Sequence, residues 1–147
     1  MKKIFALVCL LIGVTAIAPN SGAQMCEGTA KIAAQHITPP FVSDGQTYRA
    51  LLIAGQNAEF HATFFAGTTY RLAGATGESD GNLIFSVYSV DPNTGVRDLI
   101  FSNSQHDNSP YWDFKVTTTV EVAIEAALNP SSGKESGCAV LLIGFNQ

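Results

Sequence analysis

The sequence predicts an all-β protein, an antiparallel β-sandwich of jelly-roll-like type with about 7–8 strands. Apolar residues recur at every second position after Asn57, the period that places alternate side chains on one face of a strand. Glycine, asparagine and proline separate these segments at intervals of about 8–12 residues, which is typical of sandwiches. The chain has 147 residues, of which 46% are hydrophobic, enough for one core.

The predicted strands cover residues 48–53, 57–65, 69–73, 82–90, 97–102, 111–116, 120–126 and 138–145. The first of them could instead end a short helix. Phe60 alternates with Glu59 and His61, so we expect the phenylalanine to face a core. The same alternation places Trp112 in the core. The last segment is almost continuously apolar, which indicates a strand central to a sheet.

The segments between the strands contain recognisable turn and helix signals. Residues 91–95 have the sequence Asp-Pro-Asn-Thr-Gly, in which proline suits a type I turn and glycine lets the chain leave it, so we predict a hairpin loop. Residues 103–110 are polar and predict a loop outside the core. Only residues 29–36 resemble a helix. They predict either a short N-terminal helix or an edge segment.

The N-terminus predicts a signal peptide over residues 1–23, cleaved after Ala23. Lys2 and Lys3 precede an uncharged apolar run that is shorter than the about 20 residues of a membrane span. Residues 24–147 should then form a single exported domain, secreted or periplasmic, without membrane insertion. It retains all 12 acidic residues but only 6 of the 8 basic ones, which argues against nucleic acid as a partner.

Cys26 and Cys138 would both be retained after export into an oxidising compartment. We therefore predict a disulfide bond between them, closing a loop of over a hundred residues. The alternative, a metal or redox pair, requires a further ligand or a C-x-x-C spacing. Neither is found in the sequence.

No catalytic constellation is visible, so the sequence predicts a protein that is not an enzyme. The chain has the histidines His36, His61 and His106, but no serine lies in a G-x-S-x-G motif. We expect His61 and His106 to be solvated. A small glycoside or ester hydrolase stays open as an alternative, because acidic residues could flank a cleft. The candidate pairs are Glu78 with Asp80, Asp91 with Asp98, and Asp107 with Asp113.

The only cofactor to be considered is calcium, and the prediction is no cofactor. The D-x-N-x-G order that starts at Asp91 resembles part of a calcium loop, but Ser102 stands where an EF-hand needs glutamate. A looser loop site using Asp80, Asp91 or Asp107 is the alternative.

Exposed aromatic rings could serve a carbohydrate-binding module, since such rings stack on sugars while polar neighbours orient them. The candidate ligand-binding residues are Tyr111, Tyr88 and Asp113, all expected on the outer side of their strands. The function predicted is an exported, non-catalytic binding or accessory protein of the cell envelope. Its partner would be a carbohydrate or an envelope protein, with calcium stabilisation as an added alternative.

Three segments resemble the bacterial pre-peptidase C-terminal domain: GTTYRL from Gly67, GNLIFSVY from Gly81 and DLIFS from Asp98. The similarity covers roughly residues 57–127. The chain is also similar to small exported proteins of unknown function from Bacteroidetes-like bacteria, through YWDFKV from Tyr111 and SGCAVLLIGF from Ser136. The first resemblance implies a jelly-roll-like, non-catalytic accessory or binding domain, sometimes associated with calcium. The second implies no activity.

Overall fold

The structure is a computed structural model that describes residues 22–146, with side chains from Cys26 onward. The predicted signal peptide therefore lies outside the described residues except at its last two positions. The described part contains one α-helix and nine strands. They are α1 (Gly22–Ala34), β1 (Val42–Ser43), β2 (Tyr48–Ile53), β3 (Asn57–Phe64), β4 (Thr69–Thr76), β5 (Leu83–Val90), β6 (Arg97–Ser102), β7 (Tyr111–Lys115), β8 (Val120–Leu128) and β9 (Ser136–Asn146).

The strands form two antiparallel sheets. In the first sheet the order is β9–β4–β7. The other edge of β9 pairs with two strands at different points along its length, with β1 near its C-terminal end and with β2 along its N-terminal part. In the second sheet the order is β3–β8–β5–β6. When the two-residue β1 is set aside, each sheet has four strands interleaved along the chain, the arrangement of a jelly roll. The predicted fold class is confirmed.

The main core lies between the two sheets and follows the predicted alternation. Phe85, Leu72 and Leu141 are fully buried there. Trp112 packs against this core as predicted and stacks on Phe101 with ring centroids 4.5 Å apart. Because most apolar side chains of β3 point to this layer, the opposite face of that strand carries polar residues such as Glu59 and His61.

Helix α1 covers the outer face of the first sheet, and this explains why β9 is apolar throughout. Leu141 of β9 faces the main core, whereas Val140 and Leu142 pack in a second cluster with Ala33 of the helix. Cys26 of α1 and Cys138 of β9 form the predicted disulfide, with Cα atoms 5.3 Å apart. The short N-terminal helix is confirmed, but it begins earlier and ends before the predicted limit. Contacts with β9 and β4, rather than its own weak periodicity, stabilise it.

The loop at residues 103–110 departs from its prediction at its first position. Asn103 is fully buried, whereas the sequence indicated a loop outside the core. Its side-chain oxygen accepts a hydrogen bond from the Phe85 N–H (2.9 Å), and its amide group donates to the Leu83 and Ser109 carbonyls (2.9 and 3.1 Å). A polar residue is buried here because it satisfies backbone groups that would otherwise lack partners. The predicted hairpin loop at residues 91–95 is confirmed between β5 and β6.

Candidate functional site

A side cleft opens where the edge of the first sheet is interrupted. Strands β1 and β2 occupy the same edge of β9, and the connecting residues 44–47 turn away from it. The Asp44 N–H still donates to the Ile143 carbonyl (2.9 Å), while the Asp44 carboxylate accepts from the Gln46 N–H (2.9 Å). Gly45 has φ +83°, a conformation that suits glycine. The turn therefore leaves a gap between this edge and β3 of the second sheet.

The side cleft has a volume of about 680 Å³, within the size range of small-molecule sites. Aromatic rings form much of its wall. Phe64 and Tyr70 stack on each other with ring centroids 4.4 Å apart, and the Tyr70 hydroxyl accepts from the Phe65 N–H (3.0 Å). Tyr48 meets Phe60 edge to face. Phe65 is 59% exposed, so its ring is accessible at the mouth.

Polar side chains converge on the same cleft from both sheets. Partial burial raises the pKa of Tyr48, and the negative charge of Asp44 raises it further. His61 lies on the β3 side, and its Nε2 is 2.7 Å from Glu59 Oε1. Gln46, Thr63 and Thr68 complete the polar lining. Hydrogen-bonding groups therefore surround an aromatic wall, which is the composition of an orienting binding site.

The electrostatic character of the side cleft is acidic to neutral. No lysine or arginine is among its lining residues in the part of the chain described. Arg97, on β6, forms two hydrogen bonds with Glu59 (2.7 and 2.9 Å) and so does not offer its charge to the cleft. This pairing, together with the hydrogen bond of His61, lowers the pKa of Glu59.

Tyr111 and Asp113, two of the predicted ligand-binding residues, lie together on the outer side of β7 but are engaged within the fold. Arg71 of β4 donates to both carboxylate oxygens of Asp113 (2.7 and 2.9 Å). Its guanidinium carbon lies 4.2 Å from the Phe41 ring centroid and 4.5 Å from that of Tyr111. We call these four residues, Arg71, Asp113, Phe41 and Tyr111, the Arg71 clasp.

The Arg71 clasp also holds the segment that follows α1. Arg71 donates to the His36 carbonyl (3.1 Å), and the His36 ring stacks on Tyr111 with centroids 5.3 Å apart. Gly144 permits this packing, because a Cβ there would lie 3.1 Å from Ile37. The clasp thus joins the chain after the helix to the β4–β7 edge. Tyr88, the third predicted ligand residue, lies half-buried on the second sheet, paired with Ala123 and Leu99 and apart from the other two.

The predicted calcium residues are not brought together. Asp80 follows β4 and Asp107 follows β6, at one end of the sandwich, whereas Asp91 lies in the β5–β6 turn at the other. The Asp80 carboxylate contacts His36 Nε2 (3.0 and 3.1 Å), and Asp91 accepts from the Asn93 and Thr94 N–H groups. Within residues 22–146 no three His, Cys, Asp or Glu side chains converge on a common point. The calcium alternative stays a prediction.

The predicted histidines occupy three different surroundings. His61 and His106 are exposed, as expected, although the His106 ring stacks on Phe101 and lies tilted against Trp112. His36 is paired with Asp80. Among the described residues, none of the three histidines contacts a serine, threonine or cysteine side chain by a hydrogen bond.

The side cleft was missed from the sequence because its walls come from β2, β3, β4 and β9. One local signal was available. Asp44, Gly45 and Gln46 separate the apolar Phe41 and Val42 from the strand that starts at Tyr48. That pattern indicates an interrupted edge strand, and irregularities such as β-bulges are over-represented at sheet edges and next to active sites.

No family model matches this chain, and no curated protein matches it. Within residues 22–146 no helix is long and apolar enough to cross a membrane. Several solved structures are similar to the chain, among them the following two. One is PliG from Aeromonas hydrophila, described as a periplasmic inhibitor of g-type lysozyme, with 13% identity over 74% of this chain and 89% of that one, at a TM-score of 0.48. The other is a de novo designed double-stranded β-helix solved by NMR, with 14% identity over 69% of this chain and 99% of that one, at a TM-score of 0.32. At these scores neither similarity carries an argument about function.

Proposed function

We propose that this chain is an exported, non-catalytic binding protein that holds a small ligand in the side cleft. The observation that carries the proposal is the cleft itself, about 680 Å³ in volume, with an aromatic wall and polar groups converging from two sheets. A concave, largely apolar site with a few orienting polar groups is the usual form of a ligand site. The disulfide between Cys26 and Cys138 supports export, because such bonds persist in oxidising compartments.

The side cleft is a better candidate for the ligand site than Tyr111 and Asp113, which the sequence predicted as ligand-binding residues. Tyr111 and Asp113 are partly exposed, but the Arg71 clasp already uses much of their binding capacity, since Arg71 donates to both Asp113 oxygens and lies against the Tyr111 ring. Asp44 and Gln46, in contrast, are exposed at the cleft, and the side-chain amide of Gln46 makes no hydrogen bond within the described residues.

The test is a ligand screen on the disulfide-bonded protein by thermal shift, followed by NMR titration of any compound that raises Tm. Phe65→Ala should weaken binding by about tenfold, because it removes an accessible ring at the mouth. Ile53→Ala is the matched control, since Ile53 is also 59% exposed but does not line the cleft. Equal binding by wild type and Phe65→Ala would contradict the proposal.

An activity assay on the same protein samples tests the hydrolase alternative. His61 is the imidazole nearest to an orienting carboxylate at the cleft, Glu59 at 2.7 Å. If the protein turned over an ester or glycoside substrate, and His61→Gln abolished that turnover without lowering Tm, the non-catalytic proposal would be wrong.

A further inference from the structure

We infer that the ligand class of the side cleft is a neutral saccharide; this inference rests on the proposed binding function. A pyranose ring has an apolar C–H face bordered by hydroxyl groups. The cleft offers both kinds of surface, because the exposed Phe65 ring lies in the same opening as the Asp44 carboxylate and the Gln46 amide. An aromatic face with planar polar neighbours matches the two sides of a sugar.

The hydrogen-bonding groups suit hydroxyl partners. One oxygen of Asp44 accepts from the Gln46 N–H, and the other makes no hydrogen bond within residues 22–146, so it can accept from a ligand hydroxyl. The Gln46 amide can donate and accept, and the Tyr48 hydroxyl can do the same. A purely aliphatic ligand would leave these groups unpaired on binding, which costs free energy.

The charge of the lining selects against anions. Asp44 is the carboxylate among the described lining residues, and Glu59 contacts His61 of the lining. Arg97 is the cation nearest to Glu59, and its two hydrogen bonds are directed to that carboxylate. A uronic acid or a sulfated sugar would therefore meet the Asp44 charge with no lysine or arginine among the described lining residues to compensate it, and His61 is already paired with Glu59, whereas an uncharged sugar would meet no such repulsion.

The ring geometry argues against an organic cation. Cages for quaternary ammonium groups need several free aromatic faces around the charge. Here Phe64 and Tyr70 stack face to face at 4.4 Å and are buried at 2% and 8% exposure, so the faces between them are not free. Phe65 is the one cleft ring that is largely exposed among the residues described. One free ring suits stacking on a sugar rather than enclosure of a cation.

The experiment is an NMR titration of the disulfide-bonded protein with four probe classes. They are neutral mono- and oligosaccharides of glucose, galactose, mannose and N-acetylglucosamine, the corresponding uronic acids, tetramethylammonium, and a medium-chain fatty acid. We expect saturable binding of a neutral saccharide only, weakened about tenfold or more in Phe65→Ala and in Asp44→Asn. Asn at position 44 keeps the oxygen that accepts from Gln46, so the turn is retained.

The control variants carry comparable changes at positions outside the cleft. Ile53→Ala removes an equally exposed apolar side chain, and Asp91→Asn alters a carboxylate that also caps a turn. Both should bind the saccharide within about twofold of wild type. If a uronic acid, the ammonium ion or the fatty acid binds instead, in a manner sensitive to Phe65→Ala, the saccharide inference is wrong and the binding function stands. If no probe binds in a manner sensitive to Phe65→Ala, the saccharide inference is overturned, and the thermal-shift screen decides the binding function separately.

Discussion

Asn103 and Thr76 are both fully buried polar residues, but they differ in their hydrogen bonds. Asn103 bonds to three backbone groups, including the Phe85 N–H. The Thr76 hydroxyl has no partner in the part of the chain described. A buried polar group is favourable only when it is paired. Removing the polar group should therefore lower the free energy of unfolding at Asn103 and raise it at Thr76.

Asn103→Ala should lower the free energy of unfolding by about 2–3 kcal/mol, because two buried backbone groups and one partly buried carbonyl lose their partner. Urea unfolding followed by tryptophan fluorescence measures the change. Asn57→Ala, at an exposed position at the start of β3, is the control and should stay within about 0.5 kcal/mol. A loss for Asn103→Ala as small as that of the control would mean that water replaces the amide.

Thr76→Val should raise the free energy of unfolding by about 1 kcal/mol, because it replaces an unpaired buried hydroxyl with a methyl group of similar size. The same unfolding measurement applies. Thr119→Val serves for comparison and should be destabilising, since the Thr119 hydroxyl accepts from the Ala66 N–H (3.1 Å). Destabilisation by Thr76→Val would show that its hydroxyl has a partner in solution.

At the scale of the element, the Asp91 carboxylate stabilises the β5–β6 hairpin in addition to the backbone hydrogen bonds of the turn. The Asp91 carboxylate accepts from the N–H groups of Asn93 (2.8 Å) and Thr94 (3.0 Å). Both hydrogen bonds lower the pKa of Asp91, and the bond from Asn93 contributes more than the bond from Thr94. Gly95, with φ +70°, then returns the chain to β6. The turn is thus favoured when the carboxylate is ionised.

Because its folded pKa is lowered, Asp91 contributes stability above its unfolded pKa, and this contribution is lost as the pH falls through the folded value. Asp91→Asn should therefore show a smaller loss of stability than wild type between about pH 5 and pH 2. Urea unfolding at several pH values measures the slope. Asp98→Asn, an exposed residue whose carboxylate takes no part in the turn, is the control. Parallel slopes for wild type and Asp91→Asn would contradict the prediction.

At the scale of the whole molecule, helix α1 and strand β9 join opposite ends of the described chain. The disulfide between Cys26 and Cys138 spans a sequence separation of 112 residues. The helix buries the outer cluster around Val140 and Leu142, and the Arg71 clasp fixes the segment after it. The first sheet therefore has a covered outer face, whereas the second has an exposed one that carries Glu59, Tyr88 and Arg97.

The variant Cys26→Ala/Cys138→Ala should lose about 3–5 kcal/mol of unfolding free energy, because the unfolded chain gains the freedom of a long loop. Chemical unfolding of wild type with and without reductant, beside the double variant, measures the loss. The reduced wild type and the variant should agree within about 1 kcal/mol. A loss below about 1 kcal/mol in the variant would contradict this explanation and would mean that residual structure already restricts the unfolded chain without the bond.

The amino-acid sequence by itself determined the fold class, the strand segments other than β1, the hairpin at residues 91–95 and the pairing of Cys26 with Cys138. These features follow from local periodicity, turn chemistry and the number of cysteines, all of which can be read along one chain. The length of α1 was underestimated, because its stability comes from β9, which is more than a hundred residues away.

Only the tertiary structure decided which side chains meet. Sheet order placed Arg71 beside Asp113 and so occupied the residues that the sequence offered as a binding surface. The same order set Asp44 and Tyr48 opposite His61 and Phe65, which opened the side cleft. Local periodicity specifies which face of a strand is buried but not which strand lies next to it, because that choice depends on packing between distant segments.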